Sequence, residues 1–155
     1  MTYRVCKSFE VESGHMLSKH PDRCRFPHGH SRRIEIVVSA ATLDASDMVC
    51  DFKVLKLAIG EFLDRFDHAM AINSADPMAE ALQKVAGSRL IVFEGEDPTT
   101  EVLARHIYDY LKAEVGSGRT YRDHRGTSYA LRGDLVVERV RVWETSSSWA
   151  EYAGS

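Results

Sequence analysis

Two stretches that alternate apolar and polar residues, Tyr3 to His15 and His30 to Val38, flank a charged excursion containing Pro21 and Pro27. No other feature narrows the possible folds as much. In the first stretch Phe9, Val11, Ser13 and His15 project to one side, and Glu10, Glu12 and Gly14 to the other, as a strand requires. In the second, Ile34-Glu35-Ile36-Val37-Val38 is rich in β-branched residues. The two strands are expected to pair antiparallel, with Met16 to Pro27 as their connection. That pairing returns the chain to His28-Gly29-His30 beside the end of the first strand, where His15 stands.

Downstream, Phe52, Leu55, Ile59, Phe62, Leu63 and Phe66 recur at helical spacing behind Asp51, an N-cap residue, and predict a helix ending between Asp64 and Phe66. The segment from Asn73 to Gly87 is ambiguous, with a short helix at Met78 to Val85 and a short strand at Leu90 to Phe93 as options. Asp97-Pro98-Thr99-Thr100-Glu101 supplies a cap, a first-turn proline and an acidic residue, opening a helix whose apolar face carries Val102, Leu103, His106, Ile107, Tyr110 and Leu111. Gly116 to Arg132, with three glycines and many charges, reads as a long mobile insertion. Leu135 to Thr145 is a strong strand, and Trp149 to Tyr152 its short partner. The order strand, strand, helix, helix, strand, strand is an α+β pattern in one domain spanning residues 1–155. A four-stranded sheet with both helices on one face leaves its edges open, so oligomerisation is expected.

A catalytic zinc ion typically takes three protein ligands and leaves a fourth position free. His28 and His30 share one face of an extended segment, Gly29 removes bulk between them, and His15 can reach the same point. The plain alternative is a turn with two exposed histidines. Cys24 is flanked by Arg23 and Arg25, and nearby positive charge favours a thiolate; Cys6 and Cys50 read as small buried hydrophobes. In Asp67-His68, the carboxylate can fix the tautomer of its neighbour. Glu144 shares a strand face with Val140 and Val142. It either emerges into water or accepts two parallel N–H donors from a planar, guanidine-like ligand edge. Thr99 and Thr100 could bond the same ligand or simply cap the helix. Arg23, Arg25, Arg32 and Arg33 form a cluster able to hold phosphate oxygens, unless they are a solvated face. His20 reads as exposed and His106 as a core histidine.

The net charge of −3 gives no support to a nucleic-acid or anionic-membrane partner. No apolar run is long enough to span a bilayer, and no apolar signal core opens the chain. Three widely spaced cysteines do not resemble a disulfide framework, which leaves the cytoplasm as the expected setting.

Taken together, the block Cys24-Arg25-Phe26-Pro27-His28-Gly29-His30, with Phe9 to His15, Asp51-Phe52, Asp67-His68, Pro98 to Glu101, Val142 to Thr145 and Trp149 to Tyr152, resembles the 6-pyruvoyltetrahydropterin synthase and 6-carboxytetrahydropterin synthase family. The resemblance implies the tunnelling fold, a β-β-α-α-β-β unit that trimerises into a barrel, with two trimers stacked as a hexamer. It implies that His15, His28 and His30 hold Zn2+, that Glu144 anchors a pterin ring with Thr99 and Thr100 in the substrate-binding set, and that Cys24, Asp67 and His68 transfer protons across a subunit interface. The implied substrate is 7,8-dihydroneopterin triphosphate. The short interval between Cys24 and His28 looks like the carboxy-type enzymes, whose product is 6-carboxy-5,6,7,8-tetrahydropterin, formed with loss of triphosphate and acetaldehyde for 7-deazaguanine and queuosine synthesis. A 6-pyruvoyl product and a non-catalytic pterin- or zinc-binding protein are the alternatives. The chain departs from the family pattern at Asn73 to Glu96 and Gly116 to Arg132.

Overall fold

Strands β1 (Tyr3–His15) and β2 (His28–Ala40) form over the two alternating stretches. In the computed structural model, which describes residues 1–155, they pair antiparallel along their whole length. Phe9 lies opposite Ile34, Val11 opposite Arg32, Ser13 opposite His30 and His15 opposite His28. The apolar faces of both strands therefore continue directly into the histidine cluster.

Helix α1 (Phe52–Asp64) starts at Asp51, whose carboxylate accepts a hydrogen bond from the Lys53 amide at 2.8 Å. Strand β3 (Ala69–Asn73), helix α2 (Ala79–Ala86) and strand β4 (Leu90–Phe93) follow, and then helix α3 (Thr100–Ser117). A small hairpin of β5 (Thr120–Arg122) and β6 (Ser128–Ala130) precedes β7 (Val136–Thr145) and β8 (Ser148–Ala153). The main sheet runs β4-β3-β1-β2-β7-β8.

The expected four-stranded antiparallel sheet is thus a six-stranded mixed one. Its antiparallel part, β1-β2-β7-β8, is as expected; β3 and β4 extend it beyond β1 as parallel strands, joined to each other through α2. Parallel neighbours need a crossover of this kind, and the ambiguous stretch after Asn73 supplies it. α1 and α3 cover one face of the sheet, where Ile36, Leu55, Ile59, Leu111, Val140 and Val142 are fully buried. α2 lies on the opposite face, because Met70 and Ile72, which alternate with the inward Ala71, join Leu90 and Leu82 in a separate small cluster.

The capping reading of Thr99 holds, since it accepts from the Val102 amide at 3.2 Å. Two local expectations are corrected, for the segment after α3 and for His106. α3 runs past Leu111 to Ser117, ending at Gly118 in the left-handed conformation at φ 61°. The glycine-rich segment 116–132 holds that helix end and the β5–β6 hairpin. Asp123 closes the hairpin turn by accepting from the Arg125 and Thr127 amides, each at 2.9 Å, and pairs with Lys53 of α1 at 2.6 Å. Tyr121 bonds Glu114 of α3. His106 lies on the exposed rim of α3, 5.2 Å between ring centroids from Phe93, and not in the core. No helix is long and apolar enough to cross a membrane.

Gly14 and Gly29 face each other across the β1–β2 ladder. A Cβ on Gly29 would stand 3.2 Å from the Ser13 carbonyl oxygen, and one on Gly14 would meet Met70 at 2.9 Å. Main chain cannot yield as a side chain can, so Gly29→Val is expected to cost roughly 1–3 kcal/mol. A lower urea midpoint with an unchanged slope would show it; an unchanged midpoint would mean the strands are not closely apposed there.

Candidate metal centre

The β1–β2 register brings His15, His28 and His30 to one point on the helix-covered side of the sheet. Their ring centroids are 4.5 to 5.2 Å apart, and their candidate ligand atoms all lie within 4.8 Å of one another. His15 is fully buried. Its Nδ1 lies 2.8 Å from the Pro98 carbonyl oxygen, and the Nδ1 of His28 lies 2.7 Å from the Phe26 carbonyl oxygen. A carbonyl only accepts, so both Nδ1 atoms donate, and both Nε2 atoms carry the lone pair. The Nε2 atoms of His28 and His30 are buried with no hydrogen-bond partner. Buried nitrogens of that kind are costly unless something fills the space between them. Three converging imidazoles that leave room for a fourth ligand are a donor set that suits zinc.

Electrostatics keep His15 and His30 in their ligating form. Burial pushes the His15 imidazole from 6.5 down to about 4, with the Arg32 guanidinium adding to the effect against the bond to Pro98. Burial also lowers His30, again with help from Arg32 and against the pull of Glu144. The Glu144 carboxylate, which is partly exposed, puts Oε1 at 3.3 Å from His30 Nε2 and 3.6 Å from His15 Nε2. It accepts from the Thr100 hydroxyl at 3.1 Å. The strand-end glutamate thus reaches the histidine cluster and not bulk solvent alone. Thr99 caps α3, while Thr100 faces the site.

Arg32 was grouped by sequence with a cluster able to hold phosphate, but it is only 2% exposed and lies beneath the histidines. Its Nε donates to Ser13 Oγ at 2.9 Å and its Nη1 to Thr100 Oγ1 at 3.1 Å. Arg33 projects from the opposite face and packs over the Trp143 ring at 4.7 Å. Arg23 and Arg25 are exposed beside Cys24, which is half-buried in the short 3-10 turn Arg23–Arg25.

Asp67 and His68 sit at the start of β3. Asp67 Oδ1 accepts from the Glu12 amide at 2.9 Å, and His68 Nδ1 lies 2.9 Å from Asp67 Oδ2. These two bonds hold the Asp67 carboxyl below its ordinary value. The His68 side chain is 77% exposed, and its backbone adopts φ 53°, an unusual conformation for a residue with a side chain. No hydrogen bond joins this pair to Cys24 or to the three histidines within the chain.

One positioning residue escaped the sequence reading. Asp97 is 7% exposed and accepts from Ser18 Oγ at 2.6 Å, the Lys19 amide at 2.8 Å and Asn73 Nδ2 at 3.0 Å. Burial opposes its ionised form, yet these donors hold its carboxyl below the ordinary value. Asp97 thereby ties the excursion after β1 and the end of β3 to Pro98, whose carbonyl orients His15. Only its place next to Pro98 hinted at such a role.

Comparison with known proteins agrees with this architecture. The family model for 6-pyruvoyl tetrahydropterin synthase matches residues 4–155. The 6-carboxy-5,6,7,8-tetrahydropterin synthase of Aquifex aeolicus is 32% identical over 98% of both chains, and that of Haemophilus influenzae 26% identical over 97% of this chain and 98% of its own. Among solved structures, an uncharacterized protein of Wolinella succinogenes superposes with a TM-score of 0.73 at 19% identity, covering 100% of this chain and 99% of that one. The 6-pyruvoyl tetrahydropterin synthase of Caenorhabditis elegans does so with a TM-score of 0.64 at 18% identity, covering 100% and 97%. These two likenesses establish the fold. With the family match running across nearly the whole sequence, the chain belongs to the 6-pyruvoyl tetrahydropterin synthase family.

Proposed function

We propose that the chain is a zinc-dependent lyase that converts 7,8-dihydroneopterin triphosphate and water into 6-carboxy-5,6,7,8-tetrahydropterin, triphosphate and acetaldehyde. The observation that carries this reading is the trio of converging imidazoles, two with buried Nε2 atoms that make no hydrogen bond, beside the Glu144 carboxylate. Two features favour the carboxy product over the 6-pyruvoyl one. Only three residues separate Cys24 from His28, and relatives alignable over nearly all of the chain carry the 6-carboxy name.

His15, His28 and His30 would hold Zn2+, which when bound polarises the substrate's side-chain oxygens. Pro98 and Phe26 fix the two imidazole tautomers that turn Nε2 toward the ion. Glu144 accepts from the N–H edge of the pterin, a planar pair of donors matched to a carboxylate. Thr100 steadies that carboxylate, and Thr99 caps the helix that carries Thr100. Cys24 and His68 move protons, with Asp67 holding His68 Nδ1 as a donor so that Nε2 is free to exchange one. The lack of any bond between Cys24 and the Asp67–His68 pair in one chain supports assembly of that set from two subunits. The open edges at β4 and β8, with Trp149 and Tyr152 exposed, support barrel trimers and a hexamer. Free thiols at Cys6, Cys24 and Cys50 support a cytoplasmic setting.

With zinc-loaded protein and dihydroneopterin triphosphate, mass detection is expected to find 6-carboxytetrahydropterin and acetaldehyde. Triphosphate with 6-pyruvoyltetrahydropterin instead would assign the runner-up activity. Cys24→Ala should lower kcat by at least about 100-fold while leaving pterin affinity nearly intact; normal turnover would remove Cys24 from the mechanism. His28→Ala should lose bound zinc by elemental analysis, and full occupancy in that variant would reject the ligand set.

A pH effect follows from His15. Its folded value of about 4 lies below its ordinary 6.5, so only the unfolded chain takes up a proton in that interval. The stability that His15 contributes to the metal-free protein is present in full above pH 6.5 and is lost as the pH drops toward and through 4. Urea unfolding at both ends of that window should show the loss, and His15→Gln should flatten it; an equally steep loss in the variant would assign the effect to other groups.

A further inference from the structure

Arg32 is a buried cation without an anion in contact. Its side chain makes no ion pair with any carboxylate, although only 2% of the residue is exposed. The partners it does have, Ser13 Oγ and Thr100 Oγ1, are uncharged hydroxyls. Its third contact is with a metal-ligand candidate: Nη2 lies 3.3 Å from Nδ1 and 3.4 Å from Nε2 of His15. Near-equal distances to both ring nitrogens put this nitrogen against the face of the imidazole, not at either lone pair. The nearest carboxylate relay is indirect. A guanidinium has no acceptor, so Thr100 Oγ1 accepts from Arg32 and must turn its own hydrogen toward Glu144. Glu144 itself faces the histidines at 3.3 and 3.6 Å.

Burying a guanidinium on neutral partners is costly, and proteins keep such groups where the charge has a use. We infer that Arg32 is an electrostatic tuning residue for the histidine centre: its fixed positive charge, pressed on His15, opposes metal uptake and strengthens the attraction of the loaded site for anionic oxygens. It rests on the proposed metal site. The reasoning is Coulombic. Like charges in a low-dielectric interior repel far more strongly than in water, while an anionic ligand at the same place feels both cations together. A role confined to packing predicts the opposite sign, because a loosened His15 ring would bind metal less well.

The experiment measures zinc affinity of the whole protein by chelator competition, for the wild type and for Arg32→Met, Arg32→Gln and Arg32→Lys, with circular dichroism to verify folding. Met and Gln remove the charge and are expected to tighten zinc binding at least tenfold. Lys keeps the charge without the fork and should stay within about threefold of the wild type. Should one neutral variant fail to fold, the other carries the comparison. In the second arm, inorganic triphosphate is titrated into each zinc-loaded form, and the neutral variants should bind it at least tenfold more weakly. Weaker zinc binding in all three variants, or unchanged zinc affinity in the neutral ones, overturns the inference while leaving the metal site in place. A wild type that takes up no zinc overturns the metal site and this inference with it.

Discussion

Everything at the centre depends on the backbone ladder between β1 and β2. Because side chains alternate along a strand, a slip of one residue would send His15 to the opposite face from His28 and His30 and break up the cluster. The native register sets His15 directly opposite His28, and Ser13 opposite His30. Glycines at positions 14 and 29 let the strands approach there, since any side chain at 29 would press on main-chain oxygen. The same ladder places Arg32 opposite Val11, one step below the histidines, so the cation beneath the site and the donors within it come from a single pairing.

Around that ladder the fold supplies orientation more than additional ligands. α3 brings Pro98, Thr99 and Thr100 to the site by its N-terminal end, and the carbonyl of Pro98 selects the tautomer of His15. Asp97, drawn in by Ser18, Lys19 and Asn73, fixes where that helix begins relative to β1 and β3. Glu144 arrives on the face of β7 that Val140 and Val142 bury against the helices. The resulting cluster holds three imidazoles, with a carboxylate beside them and a guanidinium beneath them that meet only through Thr100, so the arrangement of charge is set before any ligand enters.

The convergence of His15, His28 and His30 beside Glu144 was readable from sequence because strand alternation maps positions onto faces, whereas Cys24 and Asp67-His68 lie off the strands and were singled out by their neighbours and by the family resemblance. The antiparallel part of the sheet and α1 and α3 were readable for the same reason, from period two and period 3.6. β3, α2 and β4 were not, since β3 is five residues and β4 four, too short for a periodic signal, and their parallel pairing is a long-range choice. The β5–β6 hairpin hid behind a polar, glycine-rich composition, although its turn is closed by Asp123 and Tyr121 ties its first strand to Glu114 of α3. Arg32 shows the limit from the other side. Alternation from His30 to Ile34 puts position 32 on the inward face, but an arginine's charge argues for solvent, and only the structure shows it buried.

The most direct measurement is anomalous diffraction at the zinc absorption edge from crystals of the purified protein. The account predicts one strong peak per chain, bounded by the Nε2 atoms of His15, His28 and His30, with Glu144 beside it. A peak elsewhere, or three rings turned apart around empty density in zinc-soaked crystals, would contradict it.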